Sequence, residues 1–512
     1  MAVRPFAANA AALAAVMLLT GCAVGPDFAQ PAPPQITRYT REPLASSAAT
    51  GGGPAGGRQY FEQSRDVPAG WWKLFKSPAL DALVERALRN NPTVQSALAT
   101  LRAAQQAVYA QEGKFFPLAQ LNFNPTRQQT SAALSPVPSS GASVFNLYTA
   151  QVLVSYTFDV WGLNVRTVEA LKATADTQRF QVEAAYLTLT SNIVVAAITA
   201  ASLQAQIDAT ERIIALNTRM LGTLRSQLNA GYANRNDVAV QEAALAQARG
   251  LLPTLQKALD QQRDLLAALA GGYPSEEPRE IFRLGDLHLP GNLPVSLPSQ
   301  LVEQRPDVRA ADEQLHAASA QIGIATANTL PSFTINANAG FMNTALQGLL
   351  APQNEFFMLA GNATQTIFDG GTLFHQLKQA KDTYQAAAWT YRATVIGAVQ
   401  NVADSLRALQ HDADALRAAV AFERAAKISY DLARQQMQSG NANVLLLLTA
   451  QQTYLQSVIQ VVQAQAARLS DTAALYVALG GGWWNRAEPL VQKRLDVGTD
   501  RALPIHPHGD GF

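Results

Sequence analysis

Four stretches of the chain alternate between apolar and polar positions. In SFTINANAGF, Phe333, Ile335, Ala337, Ala339 and Phe341 share one face, with Thr334, Asn336, Asn338 and Gly340 on the other. Val152, Val154, Tyr156 and Phe158 alternate with Gln151, Ser155, Thr157 and Asp159. Leu121 and Phe123 alternate with Gln120, Asn122 and Asn124, and FFMLAGNATQTIFD from 356 is a weaker fourth. A period of two predicts four strands. Apolar residues on one side and small polar ones on the other suit strands between lipid and water, and also a soluble sheet with one buried face.

Two far longer stretches carry a helical period. Only Pro253 interrupts 164–269, and 372–488 contains no proline. Ile193, Ala200, Ile207, Ile214, Leu221 and Leu228 fall at seven-residue steps, as do Leu448, Leu455, Val462 and Leu469. Tyr384, Ala388, Tyr391, Val395, Val399, Val402, Leu406 and Leu409 advance by three or four. These are narrow coiled-coil seams. A helix of about 65 residues is roughly 100 Å long, more than a globular domain needs.

The pattern occurs twice. RNNPTVQSALATLRAAQQAVYAQEGKFFP from 89 parallels EQRPDVRAADEQLHAASAQIGIATANTLP from 303, and Pro92 and Pro306 lie 214 positions apart. Phe158 and Phe368 are 210 apart, Gly231 and Gly440 are 209 apart, and ALAGG at 268 answers ALGGG at 478. Landmarks in one order at nearly one spacing identify a tandem duplication. Each unit reads as a helix, two strands, and a long helical stretch broken at a glycine. The expected organisation is 1–21 signal peptide, 22–68 arm, 69–272 first repeat, 273–300 linker, 301–484 second repeat and 485–512 irregular tail.

Composition narrows the function. Lys and Arg number 39 against 38 Asp and Glu, so nothing points to nucleic acid. Charged residues are 15% of the chain, low against the roughly 25% of soluble proteins, which suits long helices in close contact. The six histidines are scattered, and no metalloprotease, nucleophile-elbow or phosphate-loop motif occurs, so an enzyme is not expected. No cofactor is implied beyond a covalent lipid.

That lipid comes from the N-terminus. Arg4, the apolar run Ala7–Leu19 and the small residues Thr20 and Gly21 read as an export signal, too short to span a membrane. Cys22, the one cysteine in 512 residues, follows directly. Leu19-Thr20-Gly21-Cys22 resembles the lipobox of bacterial lipoproteins, which implies acylation of Cys22, and Ala23 after it favours the outer membrane. The stretch 25–68, with GGGPAGG at 51, reads as an extended or flexible arm.

Four strands cannot close a membrane barrel, and open edges are not tolerated in lipid, so several subunits must share one. CAVGPDFAQP (22–31), WWKLFKSPALDALVERALRNNP (71–92), QRPDVRAADEQLHAASAQIGIATANTLPSF (304–333), FDGG (368–371) and the glycine-marked turns resemble the TolC-like outer-membrane factors, in their lipoprotein branch. The resemblance implies a mainly helical chain whose homotrimer forms a twelve-stranded barrel and a helical periplasmic tunnel. It implies the exit duct of a tripartite efflux system, with a periplasmic adaptor and an inner-membrane pump as partners. A type I protein-secretion duct and a non-conducting coiled-coil lipoprotein are the alternatives.

By that layout the two helical turns are tips that close the duct and meet the adaptor. Gly231 and Gly440 would end helices, and Asn236 and Asn443 would cap the next. In relatives an aspartate and an arginine after the second turn form the constriction. Aligned on SGNANVLLLLTAQQ those positions are Thr449 and Gln452, which removes the charged ring and points to closure by Leu445 and Leu448. Asp237 remains a candidate acidic lining residue. Asp159 and Asp369, where a strand hands over to a helix, are expected caps, and Trp71 and Trp72 are expected to pack.

Overall fold

A computed structural model describes residues 23–42, 46–49, 53–63, 65–131, 143–275, 280–439, 441 and 443–486. Cys22, the signal stretch, Gly440 and the tail beyond Arg486 lie outside these residues.

Prolines set the helix starts. Helix α1 (Pro78–Asn90) opens on a proline behind Ser77, whose side chain accepts from Leu80 N. Helix α2 (Pro92–Glu112) does the same behind Asn91, which accepts from Thr93 N and Val94 N. Proline at the first position loses no hydrogen bond, because that amide has no partner in the helix. The chain then forms β3 (Leu118–Thr130) and β4 (Ser143–Phe158), after two short strands of the arm, β1 (Ser46–Ser47) and β2 (Gln59–Gln63). Helix α3 (Leu163–Asn229) and helix α4 (Arg235–Leu269) complete the first half.

The second half repeats the first. After β5 (Asn292–Val295) come α5 (Pro298–Gln304), α6 (Pro306–Ala327), β6 (Ser332–Asn343) and β7 (Glu355–Thr364), then α7 (Thr372–Gln438) and α8 (Val444–Ala478). Both long helices have 67 residues and both shorter partners 35. Strand β5 and the start of α5 occupy part of the stretch expected as a linker.

The sheet alternates strands from both halves in the order β3-β4-β6-β7, all antiparallel. Its register aligns Leu121, Val152, Ala339 and Phe357 in one row, and Ala119, Val154, Ala337 and Leu359 in the next. The opposite face carries a polar ladder. Ser155 Oγ donates to Asn336 Oδ1 at 2.8 Å, Asn338 Nδ2 to Gln151 Oε1 at 3.3 Å, and the Thr157 and Thr334 hydroxyls meet at 3.1 Å. The strands run to 13, 16, 12 and 10 residues, enough for tilted strands to span a bilayer.

The largest core lies where the two halves and the arm meet. Trp71 is fully buried and stacks on Tyr476 with ring centroids 5.6 Å apart. Phe75, Leu80, Leu83, Ile193, Val402, Leu409 and Leu469 belong to the same buried cluster. The seven-residue seam of α8 is buried along its length, as is most of that of α3. The most apolar window of α3 has mean hydropathy 1.6, and half of it is buried inside the fold.

Of the two alternatives for the arm, extended or flexible, the described residues are extended and held. Strand β2 pairs in parallel with β5, Tyr60 opposite Asn292, and β1 adds to β2. Arg468 of α8, with no exposed surface, donates to Ala55 O (2.7 Å), Gly57 O (2.8 Å), Ala48 O (3.3 Å) and Ser47 Oγ (2.8 Å). A glycine-rich segment has no side chains to bury, so it is held by its carbonyls, and a guanidinium with five donors suits that task.

Candidate functional site

The candidate site is the pair of helix tips remote from the sheet, where α3 turns into α4 and α7 into α8. At the first tip Gly231 has φ +81°, a left-handed conformation that closes the helix. Its amide donates to Leu228 O at 3.0 Å and that of Tyr232 to Gln227 O at 2.8 Å.

The cap of α4 is Asn234, not Asn236. Asn234 is extended and its Oδ1 accepts from Asp237 N at 2.8 Å, while Asp237 Oδ2 accepts from Asn234 N at 3.2 Å. This reciprocal pair satisfies two orphan amides at once, and it needs the acid three residues after the cap. Asn236 therefore sits inside the first turn of α4. Asp237 is half-buried and partly committed to the capping box. An ion pair between Arg225 and Glu242 at 2.6 Å ties α3 to α4 one turn further on.

At the second tip Asn443 Oδ1 accepts from Leu446 N at 3.0 Å and caps α8. The first turn of α8 then splits its leucines. Leu445 is 62% exposed and shares a stripe with the exposed Thr449 and Gln452. The Thr449 hydroxyl is spent on Leu445 O at 2.9 Å. Leu448 is only 9% exposed and packs with Leu224 and Val444. It belongs to the buried seam that continues to Leu455, so Leu448 does not line the exposed stripe.

The strand-to-helix junctions are built alike. Asp159 accepts from Asn164 N and Val165 N, both at 3.0 Å. Asp369 accepts from Gly371 N at 2.9 Å and Leu373 N at 2.8 Å, and these backbone donors, Leu373 first, hold its carboxyl below the ordinary range. Among the described residues no group of three or more His, Cys, Asp or Glu is placed to hold a metal.

The sequence profile of the outer membrane efflux protein family matches residues 83–272 and 297–481, which together are most of the chain. The chain belongs to the outer membrane efflux protein family. Toluene efflux pump outer membrane protein TtgC of Pseudomonas putida is 27% identical over 484 residues, 93% of this chain and 96% of the relative. Pyoverdine export outer membrane protein OpmQ of Pseudomonas putida is 26% identical, covering 81% and 88%. The fold matches the outer-membrane channel OprN with a TM-score of 0.80 at 24% identity, over 90% of this chain and all of that one. It also matches the CmeC channel of Campylobacter jejuni, with a TM-score of 0.79 at 21% identity, over 90% and 95%.

Within this efflux protein, three functional candidates escaped the sequence reading. Arg166 and Arg468 hold the arm, and Asp412 of α7 faces Asp471 of α8. The available signal was a charge at a buried helical position: Arg468 immediately precedes the seam residue Leu469.

Proposed function

We propose that three copies of the chain close one twelve-stranded barrel in the outer membrane and continue as a helical tunnel through the periplasm. The duct passively conducts small molecules delivered by an inner-membrane pump through a periplasmic adaptor. One observation carries the reading: a four-stranded sheet with an apolar face open to solvent. Phe357 is 85% exposed and Leu359 72%, while the opposite face is laddered by hydrogen bonds. Such a face needs lipid, and such a sheet needs its edge strands β3 and β7 paired. The long helices, about 100 Å at 1.5 Å per residue, supply the reach for a tunnel.

We place the acyl anchor on Cys22 and the resting gate on the exposed stripe of α8, with Leu445 as its apolar contact and Thr449 and Gln452 behind it. Asp237 lines the neighbouring tip. Gly231, Asn443 and the turn around Gly440 form the adaptor contact.

Native mass measurement in mild detergent is expected to give three chains. In planar bilayers Leu445→Ser is expected to raise basal conductance, with Thr449→Ala close to wild type. A folded monomer in the membrane would refute the shared barrel. Unchanged conductance in Leu445→Ser, with salt-dependent opening in Asp237→Asn, would move the gate to the first tip.

A further inference from the structure

The arm that follows Cys22 is held by contacts that admit one register. Val24 N donates to Trp161 O at 3.0 Å. Arg166, in the first turn of α3 and 4% exposed, donates through Nε to Val24 O at 3.1 Å. Its Nη2 donates to Gly25 O at 3.4 Å and to Asp27 Oδ1 at 2.8 Å. Its Nη1 donates to Glu169 Oε2 at 2.7 Å, which fixes the plane of the fork. Further along, Phe28 stacks on His316 of α6 at 4.4 Å, and Gln30 Nε2 donates to Asp312 Oδ2 at 3.0 Å.

Sterics forbid slippage. Gly25 has φ +96°, and a Cβ there would lie 2.4 Å from Gly323 Cα. A Cβ on Gly323 would meet Arg166 Cγ at 2.8 Å and Val24 O at 2.9 Å. One on Gly162 would lie 2.6 Å from Ala23 Cα. A shift by one residue would bring Val24 or Pro26 against Gly323, in a conformation closed to both. Ala23 is therefore fixed beside Gly162, between the end of β4 and the start of α3. Cys22 precedes it by one Cα step of about 3.8 Å.

We propose that Arg166 is the positioning residue for a lipid anchor: its fork on Val24, Gly25 and Asp27 fixes the arm so that acyl chains on Cys22 enter the membrane at the sheet–helix junction. This rests on the reading of Cys22 as lipidated and of that junction as the membrane boundary. Three acceptors in different directions need a planar fork, which lysine lacks. Freed back to Phe28, about five residues of flexible chain would let the anchor range over roughly 12 Å, and it would no longer be tied to the junction.

The test uses full-length protein carrying Pro26→Cys, an exposed position, labelled there with a fluorophore. It is reconstituted into phosphatidylcholine vesicles doped with headgroup-nitroxide lipid. Strong quenching is expected with Arg166 intact. Arg166→Met should cut quenching at least twofold and speed hydrogen exchange across 24–30 at least tenfold, with α3 and the sheet unchanged. Arg166→Lys should fall between. Cys22→Ser, exported on a non-lipoprotein signal, should keep both the quenching and the protection, because protein contacts set the register. Unchanged quenching and exchange in Arg166→Met would overturn the proposal, as would loss of both in Cys22→Ser. If Arg166→Met fails to assemble, Gly25→Ala is the second variant: its clash with Gly323 must free the arm, and retained protection overturns the proposal. An absent fatty-acid label on wild-type Cys22 with a protected arm would also overturn it, with the lipid reading and not the clamp as the failed part.

Discussion

Asp412 and Asp471 bring two carboxyls together across the antiparallel pair α7 and α8. Asp412 Oδ2 has no donor, and Arg468, one turn before Asp471, has spent its Nη atoms on the arm. Burial, and then the facing Asp471, push the Asp412 carboxyl up to about 7, only partly opposed by Arg468. Like charges this close share one proton. The sign follows from linkage: an acid raised in the folded state binds its proton more tightly there, so stability falls as pH rises from about 4 toward 7, and the full cost stands above 7.

Asp412→Asn removes one charge, keeps the shape and supplies an amide donor to Asp471. A rise of about three units at about 1.4 kcal/mol each sets a ceiling near 4 kcal/mol. Water screening at this half-exposed pair leaves about 1–2 kcal/mol per protomer. The assay is the apparent Tm of the detergent-solubilised protein at pH 5 and pH 8, at one protein concentration. The variant should gain about 1–3 °C at pH 8 and little at pH 5. An equal gain at both pH values, or a loss at pH 8, would refute the shared proton.

Three further outcomes are expected. Leu448→Ala should cost about 2–3 kcal/mol in chemical denaturation, whereas the exposed Leu445→Ser should stay within about 0.5 kcal/mol. Arg468→Met leaves the carbonyls of Ala55 and Gly57 without their charged donor, a loss of about 2–3 kcal/mol. Limited trypsin should then cut at the exposed Arg58 much faster than in wild type. His316, bonded to Glu313 at 3.4 Å and Glu169 at 3.1 Å, is held above its usual range by those bonds, Glu313 first. Its contribution is present below about 6.5 and is lost as pH rises through the raised value. Exchange across 24–30, corrected for intrinsic rate, should therefore quicken from pH 6 to pH 9 in wild type and not in His316→Gln.

The strands and long helices were legible because their signals are local. Phe333 to Phe341 alternate residue by residue, and Leu448 to Leu469 mark a seam that a seven-residue count finds. The same count places Leu448 on the buried side, apart from the exposed Leu445. The cap of α4 was also readable: Asn234 and Asp237 have capping-box spacing, and Asn236 lacks an acid three residues on. The arm was not readable. Its glycine, proline and serine content describes a chain with little to bury, and says nothing of Arg166 and Arg468. Those partners lie far along the sequence, and no local period links a carbonyl at 55 to a guanidinium at 468.

The equal lengths of the duplicated helices bear on the proposed gate. Since α3 and α7 both run 67 residues and α4 and α8 both run 35, the two tips differ in their side chains and not in helix length. The first tip is polar: a capping box through Asp237 and the Arg225–Glu242 pair. The second opens on Val444 and four leucines, with Leu445 and Leu446 facing outward. A charged tip is stable in water whether or not a neighbour covers it. An apolar one gains about 25 cal/mol for every Å² it hides. In the proposed ring of tips the second would therefore drive closure and the first tolerate opening, and a partner that covers the leucines would hold the proposed duct open.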